Sequence, residues 1–471
     1  MSRDYDVIVI GGGGAGFAAA LSARERGASV LVIEAGDKPG GSSAMSGGVV
    51  YAAGTSVQRA AGITDSPEGM YEYYMTLSQW NLEPYLIRRM AEESAPVVEW
   101  LIGLGVEFRP EKLYCAGVES VPRGHMTEGA GYALFQRLEQ AAAAQGVETV
   151  LRTRAEKLLV NDKGRVMGVR AGGADVYADA VVIACGGIGH NKALLQKHLP
   201  SVSMHGDWVF YFGGPHNQGD ALMMGQAIGA AITGHDRGGP IVTPNFTHAV
   251  DAYLPGWLVL VNEEGRRFID ETAPYTVFDG LVNRQTNNHC FALLDEATRQ
   301  WARPDPSITD PLQLGDTMAY NWVGDTIAKQ AEQGRVHKGA TVAEIAARTG
   351  IRASTLQTTL DNYNRDVEKQ ADSRFFKRFR PLRPIVTPPF YAVELRAASY
   401  AVTGTGLRID DEARVLNEAD IPIEGLYAAG ESAGGVYGDR YFAGGSSLGA
   451  ALVWGRIAGR NAAQLARTPQ R

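Results

Sequence analysis

The stretch DYDVIVIGGGGAGFAAALSARERGASVLVIEA, residues 4–35, constrains this chain more than any other. Val7–Ile10 is a β-branched apolar run of the kind that forms a strand buried on both faces. Gly11, Gly13 and Gly16 follow at G-x-G-x-x-G spacing, with Gly14 and Ala15 inside the loop, and Ala18–Arg26 reads as the helix they open. A second strand, Ser29–Ile33, ends in Glu34 and Ala35. The first glycine makes a tight turn, the second lets a pyrophosphate approach the backbone, and the third lets helix and strand pack closely. Free N–H groups at the helix start face the phosphates. Glu34, at the end of the second strand, is placed to accept hydrogen bonds from a ribose diol. Strand, loop, helix, strand and acid in this order point to a bound adenosine diphosphate group rather than a bare glycine turn.

At 471 residues the chain is long for one core, so two domains are expected. The net charge of -7 offers no basic stripe, which argues against nucleic acid as a partner. Cys115, Cys185 and Cys290 show neither C-x-x-C nor metal spacing, so neither a disulfide framework, a zinc site nor any other metal site is expected. The apolar N-terminal run is broken by glycines and preceded by Asp4 and Asp6, unlike a signal peptide or a membrane span. Cytoplasmic residence is the expectation, with no integral membrane segment.

Residues 36–60 form a loop rich in Gly and Ser that continues from the acid. Gly40, Gly41, Ser42, Ser43, Ser46, Gly47 and Gly48 are the candidates there to lie along an extended cofactor. Residues 66–102 read as helical, as does Gly131–Gln145. Short strands with a turn at Asp162-Lys163-Gly164 lead to a last strand, Ala180–Ala184, which runs into Gly186-Gly187. No second G-x-G-x-x-G follows a strand and opens a helix, so no separate nicotinamide site is expected. From His235 to Ile385 the texture changes to aromatics, prolines and helical patterns such as Val342–Arg348 and Ser354–Lys369, as in an inserted domain. Strand patterns return after Pro389. Leu426–Glu431 then reads as a buried strand ending in an acid, and SSLGAALVWGRIAGRNAA as a helix opened by a Gly/Ser loop.

The motifs VIVIGGGGAGFAAA, VIEA, GGSSAMSGGVVY, VVIACGG, NEEGRRFIDE, GLYAAGE and GGSSLGAALVWGRIAG resemble, in that order, the flavoprotein superfamily of fumarate reductase and succinate dehydrogenase. The resemblance implies an α/β fold: a Rossmann-like FAD-binding domain (1–234 and 386–471) with an inserted α+β capping domain (235–385) that closes over the flavin. It adds Ala184, Gly186, Gly430, Glu431, Ser446, Ser447 and Leu448 to the cofactor contacts. Succinate dehydrogenases attach FAD to a histidine in the loop that here reads GGSSAMSGG, so FAD is expected to be non-covalent. Two further departures narrow the reading. The proton-delivering arginine of fumarate reductases, four residues past the glutamate of RF-x-x-E, is replaced by Tyr275 in E-T-A-P-Y. The dicarboxylate-binding histidine before T-x-G-G is missing from Tyr400-Ala401-Val402-Thr403-Gly404. Tyr275, and Tyr441 four residues before Gly445, resemble instead the 3-ketosteroid dehydrogenases of Δ1 and Δ4-(5α) type. That resemblance implies that Tyr275 takes a proton beside a ketone while Tyr441 and the Gly445 N–H hold the ketone oxygen.

Desaturation beside a ketone removes an α proton and a β hydride. The α proton is too weakly acidic for a side chain unless two preorganised donors stabilise the developing enolate. A tyrosine with an ordinary pKa near about 10 needs a neighbour to serve as base, and Tyr114 and Tyr320 are both candidates. The hydride goes to flavin N5. Arg440 is either a surface ion-pair residue or the holder of a substrate carboxylate. His125 fits a place near the flavin or a structural role. The leading expectation is an FAD-dependent dehydrogenase of a cyclic ketone, either a 3-ketosteroid or a 4-oxocyclohexanecarboxylate-like acid. The chain is somewhat short for the steroid enzymes. The alternatives are an ene reductase of fumarate reductase type and a flavoprotein electron-transfer subunit. The electron acceptor stays open among quinone, oxygen and a redox protein.

Overall fold

The structure, a computed structural model, describes residues 3–246, 253–309, 319–378 and 381–467. It divides into two compact units: Met1–Met204 with Tyr211–Gly239 and Ala401–Arg471, and His205–Phe210 with Pro240–Tyr400.

In the first unit β1 (Tyr5–Ile10), α1 (Gly14–Arg24) and β2 (Val30–Ile33) follow one another. The helix opens at Gly14 rather than Ala18, because the glycine loop itself supplies its first turn. Val7–Ile10 and all of β2 are buried, as a parallel sheet covered on both faces requires. β1 pairs in parallel with β2, Val7 opposite Val30. β3 (Glu148–Val150) flanks β2, and β4 (Ala174–Ile183) lies on the other side of β1, Val7 opposite Ala180. β5 (Pro422–Ala428) extends the sheet beyond β4, giving the order β3-β2-β1-β4-β5. The chain goes to opposite sides of β1, which opens a crevice at the carboxyl ends of β1 and β4.

β4 is longer than the expected Ala180–Ala184. Its first half pairs antiparallel with Val166–Ala171, and only its second half joins the parallel sheet. α2 (Pro67–Leu77) and α3 (Pro84–Gly103) correct the single helical reading of 66–102. Gln79 and Trp80 take left-handed φ values of 53° and 61°, which stops the first helix, and Pro84 starts the second at a position where its missing N–H costs nothing. α4 (Ser446–Arg467) packs on α1 at backbone distance: a Cβ on Gly455 or Gly459 would lie 2.3 or 2.0 Å from the carbonyl oxygens of Ala15 and Ala19.

The second unit is built on strand His289–Asp295, antiparallel to both Val259–Val261 and Phe390–Thr403. Both its faces are apolar. Cys290, Ala292 and Leu294 join a cluster with Trp257, Phe278 and Trp322. Phe291 and Leu293 pack under the helices Val342–Thr349 and Ala353–Glu368. Next to this core lies a buried ionic group. Arg267 forms paired bonds to Glu271 (2.7 and 3.0 Å) and to Asp372 (2.7 and 3.0 Å), and Lys377 reaches Glu271 at 3.1 Å. Among the described residues no helix is long and apolar enough to cross a membrane, and no group of His, Cys, Asp and Glu is arranged to hold a metal.

Candidate active site

The crevice of the first unit is lined by backbone. Gly11 sits at φ +103°, and a Cβ there would lie 2.4 Å from the Ala184 oxygen, so only glycine makes this turn. A Cβ on Gly16 would lie 1.9 Å from the Gly11 oxygen, which is the close helix–strand packing expected of the third glycine. Gly13 differs: the nearest atom to a Cβ there is the Gly40 oxygen at 3.9 Å. Packing does not demand a glycine at Gly13, and its bareness leaves room for a ligand. The start of α1 carries no side-chain cap, although Gly14 N donates to Ser43 Oγ at 3.1 Å. At Gly47 an added Cβ meets nothing within 4 Å.

Glu34 does something the sequence did not announce. Its Oε2 accepts from Gly12 N at 2.7 Å and its Oε1 from Gly36 N at 2.6 Å. The carboxylate therefore ties the glycine loop to the end of β2, and each oxygen keeps a further lone pair. Ala35, just beyond, is partly exposed.

Ser42 and Glu431 belong to one hydrogen-bonded group. Ser42 Oγ accepts from Gly214 N (2.9 Å) and from Asn217 Nδ2 (3.2 Å). Asn217 also donates to the Tyr211 hydroxyl, which donates to Glu431 at 3.1 Å. Thr403 contributes its N–H (3.0 Å) and hydroxyl (2.9 Å) to Glu431. Burial pushes the Glu431 carboxyl above the usual carboxylate range, and the Thr403 and Tyr211 bonds counter this only in part. A Cβ on Gly186 or Gly187 would strike Asn217 or Thr403 and Glu431, so the glycines after β4 make room for this group. Sequence reasoning named Ser42, Gly186 and Glu431 but missed Tyr211, Asn217 and Thr403; the turn FYFGGPHNQG was the signal for the first two. Ser46 Oγ donates to the Ser43 oxygen at 2.8 Å and accepts from Gly48 N at 3.2 Å, closing the Gly41–Met45 turn.

At the start of α4, Gly445 has φ +89°, and a Cβ there would lie 2.6 Å from the Val49 oxygen. Among the described residues its N–H donates to no backbone carbonyl. Leu448 reaches the start of α1, its Cδ1 lying 3.6 Å from where a Gly14 Cβ would be. The Tyr441 ring lies on Gly239, where a Cβ would come within 2.7 Å of Cδ2. Burial pushes the Tyr441 phenol up, while the hydroxyls of Ser447 and Ser446 and the Gly445 N–H pull it back. The phenol therefore stays protonated at neutral pH and meets the Gly445 N–H at one point. Arg440 is partly buried and makes no ion pair among the described residues.

In the second unit Tyr275 opens a short helical turn, Tyr275–Val277, after Pro274. It is partly buried against the apolar core, and its ring meets Tyr253 edge to face, centroids 4.9 Å apart. The phenol beside it is thus Tyr253. Tyr320 is 66% exposed, and Tyr114 packs against Gly124 within the first unit. Glu271, four residues before Tyr275, is held below its ordinary pKa because Lys377 and Arg267 outweigh its burial. His125 is buried, its ring bonded to Thr55 Oγ1 (2.8 Å) and the Arg123 oxygen (2.8 Å).

The family model described as an FAD binding domain matches residues 6–448. The chain belongs to the FAD-binding flavoproteins of the fumarate reductase family. A probable fumarate reductase of Shewanella frigidimarina is 31% identical over 98% of this chain and 75% of its own length. The 4-oxocyclohexanecarboxylate 2-dehydrogenase of Sinomonas cyclohexanicum is 27% identical over 98% of this chain and 93% of its own. Among solved structures, the 3-ketosteroid Δ4-(5α)-dehydrogenase of Rhodococcus jostii RHA1, in complex with 4-androstene-3,17-dione, is 28% identical with a TM-score of 0.78 and covers 98% of both chains. That coverage corrects the expectation from length: a steroid dehydrogenase of this fold need be no longer than this chain. FAD is the cofactor of this flavoprotein, and the enzyme is an FAD-dependent oxidoreductase. Bare Gly13, the uncapped start of α1 and the Ser42–Glu431 group fit an extended dinucleotide. Glu34→Gln keeps the bulk of the side chain but only one carbonyl oxygen, so FAD affinity should fall about tenfold. FAD per polypeptide after gel filtration reads this out, and unchanged occupancy contradicts a ribose contact.

Proposed function

We propose that this flavoprotein dehydrogenates a cyclic ketone, forming a C=C bond in conjugation with the carbonyl. In this reading Tyr275 accepts the α proton, and the Tyr441 hydroxyl and Gly445 N–H hold the ketone oxygen as it becomes an oxyanion. Bound FAD, held non-covalently, supplies the acceptor for the β hydride. The observation that carries the reading is the Gly445 N–H directed at the Tyr441 phenol rather than at a backbone carbonyl of the described residues, which brings two donors to one point. Two such donors suit an enolate oxygen. A dicarboxylate would call for cations, and the expected arginine and histidine positions hold Tyr275 and Tyr400 to Gly404 without either residue.

Arg440, partly buried and without an ion pair among the described residues, favours a keto acid over a steroid. The experiment compares 4-oxocyclohexanecarboxylate, cyclohexanone and 5α-androstane-3,17-dione as electron donors to an artificial acceptor dye. The keto acid should turn over fastest, and Arg440→Met should raise KM for it while leaving cyclohexanone unaffected. A steroid preference untouched by Arg440→Met contradicts the carboxylate assignment. The second reading, an ene reductase running the opposite way, is favoured by the 31% identity to a probable fumarate reductase. It predicts that reduced enzyme is reoxidised by an activated alkene.

A further inference from the structure

The loop from Tyr441 to Gly445 carries both proposed oxyanion donors, yet it has little regular structure of its own. Apart from the Ala443 carbonyl, which accepts from Ser446 N and Oγ, its hold comes from elsewhere in the first unit. The Tyr73 hydroxyl, on α2, donates to the Phe442 oxygen at 2.6 Å. Gly444 N donates to the Ala116 oxygen at 3.0 Å. These two bonds bracket Ala443, one on the Tyr441 side and one on the Gly445 side. The segment that supplies Ala116 is itself fastened: Ala116 N donates to Glu119 Oε1 at 2.7 Å, and Val118 N donates to the Tyr73 hydroxyl at 3.2 Å.

Gly117 marks where these groups meet. A Cβ there would lie 2.3 Å from the Tyr73 hydroxyl, 2.5 Å from the Phe442 oxygen and 2.7 Å from Glu119 Oε2. Three oxygens from three separate stretches converge over one bare Cα. The Tyr74 ring also lies against Phe442, centroids 4.3 Å apart, so the Phe442 side chain is held as well as its carbonyl. Burial raises the Glu119 carboxyl above its ordinary range, and burial raises the Tyr73 phenol further. The Tyr73 phenol therefore keeps its proton at neutral pH and donates it to the Phe442 oxygen.

We infer that Tyr73, Gly117 and Glu119 form a latch that positions the Tyr441–Gly445 loop, setting the geometry of the ketone-oxygen site without touching substrate. The inference rests on the proposed role of Tyr441 and Gly445. A misplacement of about 1 Å at a reacting centre costs on the order of 100-fold in rate, so slackening the latch reaches catalysis through position alone.

The test uses the FAD-loaded full chain and two variants. Tyr73→Phe removes a single oxygen and keeps the ring. Gly117→Ala inserts one methyl among the three oxygens. The readouts are FAD stoichiometry, melting temperature, kcat and KM for the ketone, and a titration with 4-chlorophenol. Bound 4-chlorophenolate mimics the enolate oxygen and is followed by its long-wavelength charge-transfer absorbance with oxidised flavin. Tyr73→Phe should keep FAD content and melting temperature while kcat falls and phenolate affinity drops about tenfold. Gly117→Ala should lower kcat and phenolate affinity further, with FAD retained and a lowered melting temperature, because the Phe442 carbonyl that the methyl meets is backbone and must shift. Wild-type kcat and phenolate affinity in Tyr73→Phe overturn the latch, as does a loss confined to melting temperature and FAD content. Tyr441→Phe serves as the reference. If it lowers phenolate affinity while the latch variants do not, the latch alone fails. If wild-type enzyme neither binds the phenolate nor turns over a ketone, the oxyanion reading fails and the latch falls with it.

Discussion

Tyr275→Phe should keep its FAD and lose about 100- to 10,000-fold in ketone turnover, the range typical of a removed general base. The substitution takes away one oxygen and leaves the ring. The edge-to-face contact with Tyr253 and the packing against the apolar core survive, because both involve the ring alone. Glu271, just upstream, keeps its buried bonds to Arg267 and Lys377, and Arg267 its bonds to Asp372, so the turn that follows keeps its anchor. A loss of turnover with normal FAD content and normal melting is therefore chemical. Normal turnover in the loaded variant removes Tyr275 as the base.

Tyr441→Phe should lower kcat by about 100- to 1,000-fold, the usual effect of deleting one oxyanion donor. Its ring keeps its place on Gly239, and only the hydroxyl that meets the Gly445 N–H is lost. The Gly445 donor remains, which is why activity should persist at a low level rather than vanish. Because burial keeps the Tyr441 phenol protonated, its contribution should stay constant across neutral pH. A pH profile governed by Tyr441 in this range, or unchanged kcat in the variant, would contradict its role as donor.

Much of the dinucleotide fold was legible because it is written in local pattern. The β-branched run Val7–Ile10, the glycine spacing and the acid at Glu34 specify strand, turn and helix within a few residues of one another. The break at Gln79 and Trp80 was not legible, since neither residue type favours a left-handed backbone and helical spacing continues on both sides. The two-sided burial of His289–Asp295 removes the alternation that marks a strand, leaving only a change of texture.

The site divides along the same line. Residues on the motifs themselves, such as Gly11, Ser42, Glu431 and Gly445, could be named from spacing. Tyr211, Asn217 and Thr403 meet Glu431 only through the fold, and Tyr253 meets Tyr275 across a loop. Glu34 shows the limit within a motif: its place was evident, yet its bonds to Gly12 and Gly36 depend on the turn closing back on the carboxylate.

The most direct test is anaerobic mixing of the oxidised FAD enzyme with a saturated cyclic keto acid, followed at the flavin absorbance band. Ketone dehydrogenation predicts rapid bleaching, a stoichiometric enone, and loss of both in Tyr275→Phe. An oxidised spectrum that no ketone bleaches, together with rapid reoxidation of dithionite-reduced enzyme by fumarate, would contradict it.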